Sequence, residues 1–136
     1  VAMHQCARFS SDPKQSHANA LRYIGKYLSG TKDEGIYLDP QQDKSFECWV
    51  DADFLGQYVK GATDMHLDAM TAKSRTGFLI TYAWCPITWG SKLQGESALS
   101  TTESEYMAIL ESFRLLLPMM DLLEEGIEKG VPVKPG

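Results

Sequence analysis

Four carboxylates sit where backbone geometry would present them in pairs: Asp51 and Asp53 in "WVDADF", and Glu103 and Glu105 in "STTESEYMA". Alternate residues of a strand share a face, so Asp51 and Asp53 point with Trp49 while Cys48, Val50 and Ala52 point the other way. Two aspartates on one face, with an apolar face opposite, suggest an edge of the core that presents oxygen ligands. They equally suit a solvated strand end. In the second stretch, Ser100-x-x-Glu103 and Thr102-x-x-Glu105 both fit a capping box, in which a hydroxyl and a carboxylate satisfy free backbone donors at a helix start. Acidic residues there also favour the helix dipole. At about 100° per residue, Glu103 and Glu105 flank the apolar stripe of the following helix on opposite sides. Helical geometry alone assigns neither of them to chemistry.

The elements that must position these groups are legible in the pattern. "SHANALRYIGKYLSGT" predicts a helix capped by Ser16 and ended near Gly30, with Ala20, Leu21, Ile24, Tyr27 and Leu28 at three- and four-residue spacing. "EGIYLDPQQDKSFECWVDADF" predicts a hairpin of two strands, 35–38 and 46–53, joined by a turn-rich link. Residues 56–73 lack a sustained period and read as a long loop, in which His66 between Asp64 and Asp68 is a weak metal-ligand candidate. β-rich runs follow at 77–82 and 87–91, with Pro86 suited to a turn or a first strand position. From Thr102, the residues Tyr106, Ile109, Leu110, Phe113, Leu116, Leu117, Met120 and Leu123 form a helical stripe that Pro118 should kink or interrupt.

Bulk composition limits the function classes. A chain of 136 residues, 43% hydrophobic and 23% charged, fits a single globular domain, and no apolar run approaches the roughly 18 residues of a membrane span. The first fifteen residues lack the apolar centre of a signal peptide. Three cysteines with no CxxC pair indicate neither a disulfide framework nor a zinc site, and Cys48 and Cys85 are expected in the core. A net charge of −5 argues against tight unaided binding to a polyanion, because phosphate neutralisation needs clustered Lys and Arg. Were nucleic acid the partner, metal on carboxylates or a neighbouring basic domain would have to help hold it.

The ordered succession "HANALRYIGKYLSGTKDEGIYL", "WVDADF", "SRTGFLITYAWCPITWGSKLQGESALSTTESEYMAI" and "LLLPMMDLLEE" resembles the RNase H region that follows reverse transcriptase in Copia-type LTR retrotransposon Pol polyproteins. The likeness spans residues 16–128. It implies an RNase H-like α+β fold, a mainly antiparallel three-stranded meander plus helix. It divides the chain into a segment 1–32 similar to the connection to reverse transcriptase and an RNase H-like domain over 33–136. The implied activity is metal-dependent endonucleolytic hydrolysis of RNA in RNA/DNA hybrids during reverse transcription. Two Mg²⁺ ions are implied, with Mn²⁺ able to substitute. The implied partners are the hybrid and the reverse transcriptase of the same polyprotein, inside cytoplasmic virus-like particles.

Carried over position by position, Asp51 matches the β-strand carboxylate of the RNase H site and Glu105 the helix carboxylate. Glu103 keeps the capping role, and Asp53 is an additional metal-ligand candidate typical of the Copia group. The resemblance places a third carboxylate in a "DN" motif on the strand after this helix, and a further Asp near a histidine-containing segment, both beyond Gly136. An alternative is therefore a catalytically incomplete RNase H-like domain that serves as a folded partner of reverse transcriptase. A less favoured reading is a small acidic interaction domain whose carboxylates only cap and solvate. Ser100, Thr101, Thr102, Lys92 and Gln94 are candidates for contacts to hybrid phosphates and 2′-hydroxyls, and equally for cap or loop roles. Trp49, Trp84 and Trp89 are expected in the core or on a sheet face rather than as stacking platforms.

Overall fold

The computed structural model describes residues 2–41, 44–56 and 73–132, which fall in two compact units, Val1–Tyr37 and Leu38–Gly136. The loop expected at 56–73, with its His66, lies outside the described residues apart from Gly56 and Lys73.

In the first unit a short helix α1 (Ala2–Ala7) packs on α2 (Gln15–Gly30). Phe9, in the link, stacks its ring on His17 with centroids 4.2 Å apart. Ser16 is not the N-cap of α2. That position is held by Lys14, whose backbone N–H donates to His17 Nδ1 at 3.0 Å, so the histidine does the work of a capping side chain one turn in. At the far end Thr31 donates both its backbone N–H (3.0 Å) and its hydroxyl (2.9 Å) to the carbonyl of Tyr27.

The second unit is a three-stranded antiparallel meander, β1 (Phe46–Asp53), β2 (Arg75–Tyr82) and β3 (Cys85–Leu93), crossed by one long helix, α3 (Thr101–Glu128). The mixed α+β class with its three-stranded sheet is as the sequence predicts, and it is compatible with a truncated RNase H-like fold. The strand expected at 35–38 is absent: 34–41 has no regular structure, and Ile36, Tyr37 and Leu38 are exposed. Pro40, which lacks a donor, sits just after this four-residue run, and no apolar surface covers it. Among the described residues β1 therefore has a strand neighbour on one side only, β2.

β2 and β3 meet at Ala83 and Trp84, both with positive φ (51° and 66°), as a tight two-residue hairpin turn demands. The register slips between Ile80 and Thr81, and Thr81 pairs with Pro86; the irregularity accommodates a residue that cannot donate to the ladder. On one face of the sheet Trp49, Leu79 and Trp89 lie side by side in register, with the tryptophans 58% and 60% exposed. They are sheet-face residues. Cys48 and Cys85 are half-buried rather than core, and burial pushes the Cys48 thiol up from its ordinary value.

α3 packs against β1 and β2 through Ser104, Ala108 and Ser112, three small buried residues spaced one turn apart. Their size lets the helix axis approach the sheet closely above Ile80, which is fully buried. Of the large residues of the stripe, Tyr106 (64%), Leu110 (63%), Ile109, Phe113 and Leu117 are exposed, and Leu116, Met120 and Leu123 are half-buried. Pro118 does not interrupt α3, which runs unbroken for 28 residues. Its missing donor would have served the carbonyl of Arg114, and both residues are exposed, so water can replace the bond.

Candidate active site

Asp51 lies in the second half of β1, opposite Gly77 of β2, and Glu105 lies in the second turn of α3. The small-residue seam brings the two elements together, and a pocket of about 140 Å³ is lined by Val50, Asp51, Ala52, Glu105, Ala108 and Ile109. Among the described residues β1 is an outer strand of the sheet. Among the described residues neither the Asp51 nor the Glu105 carboxylate makes a hydrogen bond or ion pair, so both are uncommitted at the pocket they line.

Glu103 is placed differently. Its backbone N–H donates to Ser100 Oγ at 3.1 Å, and its carboxylate accepts from the backbone N–H of Leu99 at 2.6 Å. This is a capping box whose return bond reaches one residue further back than usual. The two glutamates thus divide the work: one closes the helix start, and the other is left facing the strand.

Asp53 does not line the pocket. Its carboxylate lies over Gly56, in the space that a Cβ there would fill, in the turn after β1 where Leu55 also has positive φ (51°). Of the remaining candidates, Ser100 is the N-cap, and Thr101 and Thr102 are exposed in the first turn of α3. Lys92 pairs with Glu111 of α3 at 2.5 Å. Gln94 is only 2% exposed; its side-chain amide donates to the carbonyl of Ser104 (2.7 Å) and to Thr76 Oγ1 (3.2 Å), and its backbone N–H donates to the carbonyl of Ser74 (2.9 Å). Gln94 is a clamp between sheet and helix. Sequence reasoning missed this clamp and the Ser104–Ala108–Ser112 seam, although small residues at strict four-residue spacing were there to be read.

Among the described residues no group of three or more His, Cys, Asp or Glu is gathered to hold a metal ion. The pocket offers two carboxylates, a number that Mg²⁺ commonly takes from protein when water and phosphate oxygens supply the rest.

No protein-family model matches the chain, and no solved structure matches it. Curated relatives do. The retrovirus-related Pol polyprotein from transposon RE2 of Arabidopsis thaliana is 31% identical over 132 residues, 96% of this chain. That from transposon TNT 1-94 of Nicotiana tabacum is 34% identical over 119 residues, 88% of the chain. Each match spans 8% of the polyprotein. The secreted RxLR effector protein 161 of Plasmopara viticola is 31% identical over 112 residues, which are 82% of this chain and 71% of that protein. Nearly the whole chain thus aligns with one segment of transposon polyproteins: its homologues are Copia-type retrovirus-related Pol polyproteins, of whose length it spans about one twelfth.

Proposed function

We propose that this segment is the ribonuclease H portion of its retroelement, hydrolysing RNA in RNA/DNA hybrids with Asp51 and Glu105 as metal-holding carboxylates. The observation that carries the reading is their shared pocket: a strand carboxylate and a helix carboxylate, 54 positions apart in sequence, both free of protein partners. Hard oxygen donors of this kind select Mg²⁺ or Mn²⁺ over softer metals. Bound there, a metal pair would supply an ionised water and neutralise charge at the leaving oxygen. The chain's own contribution is to fix the two carboxylates, through the Ser104–Ala108–Ser112 seam and the Gln94 clamp, so that no reorganisation is needed when charge develops. Asp53, Thr101 and Thr102 flank this pocket in sequence as further candidates for metal and substrate contacts. The reverse transcriptase of the same polyprotein, within virus-like particles, is the proposed source of the hybrid.

The test is cleavage of a labelled RNA/DNA hybrid with Mg²⁺ or Mn²⁺ by the wild-type chain and by Asp51→Asn, Glu105→Gln and Glu103→Gln. Mn²⁺ binding followed by electron paramagnetic resonance gives a readout that does not depend on turnover. Cleavage and Mn²⁺ binding lost in the first two variants and kept in the third is the expected result. A second reading, a non-catalytic domain that supports reverse transcriptase, is favoured by the count of two carboxylates at the pocket. Mn²⁺ binding without cleavage, persisting when the downstream segment of a Pol relative is appended, would select it.

A further inference from the structure

The chain's charge is unevenly divided. The first 37 residues carry five Lys and Arg against three Asp and Glu, while the remaining 99 carry eight against fifteen. The excess of positive charge therefore belongs to the unit that holds α2, inside a protein whose net charge is −5.

Helix α2, "QSHANALRYIGKYLSG", contains no acidic residue. Its positions 15, 19, 22, 23, 26 and 30 fall on one side of the helix at three- and four-residue spacing. Four of them, Asn19, Arg22, Tyr23 and Lys26, line a recess of about 280 Å³. Arg22 Nη1 donates to Asn19 Oδ1 at 3.1 Å, and Lys26 Nζ stands 5.8 Å from the Tyr23 ring centroid. Among the described residues neither cation is paired with a carboxylate. Both charges are held by neutral partners, which orient them without neutralising them. Tyr23 is 73% exposed beside them.

We infer that this face of α2 grips the phosphodiester backbone of duplex nucleic acid. Arg22 and Lys26 supply charge, and Asn19, Gln15 and the Tyr23 hydroxyl supply sequence-independent hydrogen bonds to phosphate and sugar. An anionic membrane surface is the rival partner for a basic amphipathic helix. It is less well matched: the cationic side of α2 is polar and aromatic, and Leu21 and Ala18 on another side help line a second pocket with Met3, Cys6 and Phe9 of its own unit. The identity of the duplex as an RNA/DNA hybrid rests on the proposed function; the grip itself does not require cleavage.

The experiment is fluorescence anisotropy of the full chain with a labelled RNA/DNA hybrid in EDTA, which blocks hydrolysis, over a salt series. Arg22→Gln/Lys26→Gln should weaken binding about tenfold and make the slope of log K against log salt shallower by about two, one for each lost phosphate contact. Lys44→Gln/Lys129→Gln removes the same charge from the second unit and should leave the slope unchanged. Arg22→Lys/Lys26→Arg should keep the wild-type slope, which separates loss of charge from a damaged helix. Equal losses in the two neutralised pairs, an unchanged slope in Arg22→Gln/Lys26→Gln, or a loss confined to phosphatidylserine vesicles would overturn the inference. Binding in EDTA reads the grip and cleavage in Mg²⁺ reads the catalytic proposal, so failure of one is distinguishable from failure of the other.

Discussion

Gln94, one residue past the end of β3, donates its side-chain amide to the carbonyl of Ser104 in the first turns of α3, 2.7 Å away. That single bond joins the exit of the sheet to the start of the helix that carries Glu105. Replacing Gln94 by Leu leaves the Thr76 hydroxyl and the Ser104 carbonyl without this donor, and the expected loss is about 1–3 kcal/mol of unfolding free energy. Urea denaturation measures it. An unchanged midpoint would mean that the clamp is ornamental.

The seam under α3 tolerates no bulk. Ala108 is fully buried and also lines the pocket between Asp51 and Glu105. Ala108→Leu should destabilise the fold by about 1–3 kcal/mol, because the helix must lift from β1 to accept three more carbons. The same displacement parts the two carboxylates, so Mn²⁺ affinity should fall with stability. Leu110→Ala, on the exposed side, should leave both within experimental scatter.

The division of labour between Glu103 and Glu105 has its own thermodynamic signature. Ser100→Ala removes the cap acceptor and should cost about 1 kcal/mol. Glu103→Gln should lower stability by a smaller amount, since a neutral amide oxygen still accepts from Leu99 N–H but interacts less with the helix dipole. Glu105→Gln, which breaks no bond, should leave the melting temperature at or slightly above wild type.

Ala83 occupies a left-handed conformation that favours Asn and Gly. Ala83→Asn should therefore raise stability by a few tenths to about 1 kcal/mol, read as an increased melting temperature, without touching the site.

Burial raises the Cys48 thiol pKa above its ordinary 9.0. The thiol of the unfolded chain then ionises first, so this group contributes nothing to the pH dependence below that range. Above it, ionisation favours the unfolded state. Stability should fall as pH rises from about 9, and Cys48→Ala should flatten that part of the profile. A profile unaltered by the substitution would place the alkaline loss elsewhere.

Much of this could be read from sequence, for reasons that differ element by element. β1 came out at 46–53 because "FECWVDAD" alternates and its aspartates end it. The meander and α3 were marked by period and by the cap at Ser100. What escaped depended on tertiary context. The apolar stripe of α3 has no label saying which side meets the sheet, and Ser104, Ala108 and Ser112 won that contact by size rather than hydrophobicity. Gln94 looked like a loop amide available to a ligand because its buried partners, Thr76 and Ser104, lie 18 and 10 residues away. His17 displaced Ser16 from capping through a ring nitrogen, which hydroxyl-based rules do not anticipate. Proximity of Asp51 to Glu105 was implied by family likeness and has its geometric basis in the shared pocket.

Among the described residues one flank of β1 has no strand neighbour, and this has a colloidal consequence. A strand with neighbours on one side only exposes a row of backbone donors and acceptors, on which another copy could extend the sheet. Asp51 and Asp53 put negative charge on that flank, and like charges brought opposite each other by edge-to-edge pairing repel. The acidic pair therefore guards the isolated chain against sheet extension whatever else it does. Removing both charges should shorten the shelf life of a concentrated solution, so each neutralised variant needs its dispersity checked before its activity is interpreted.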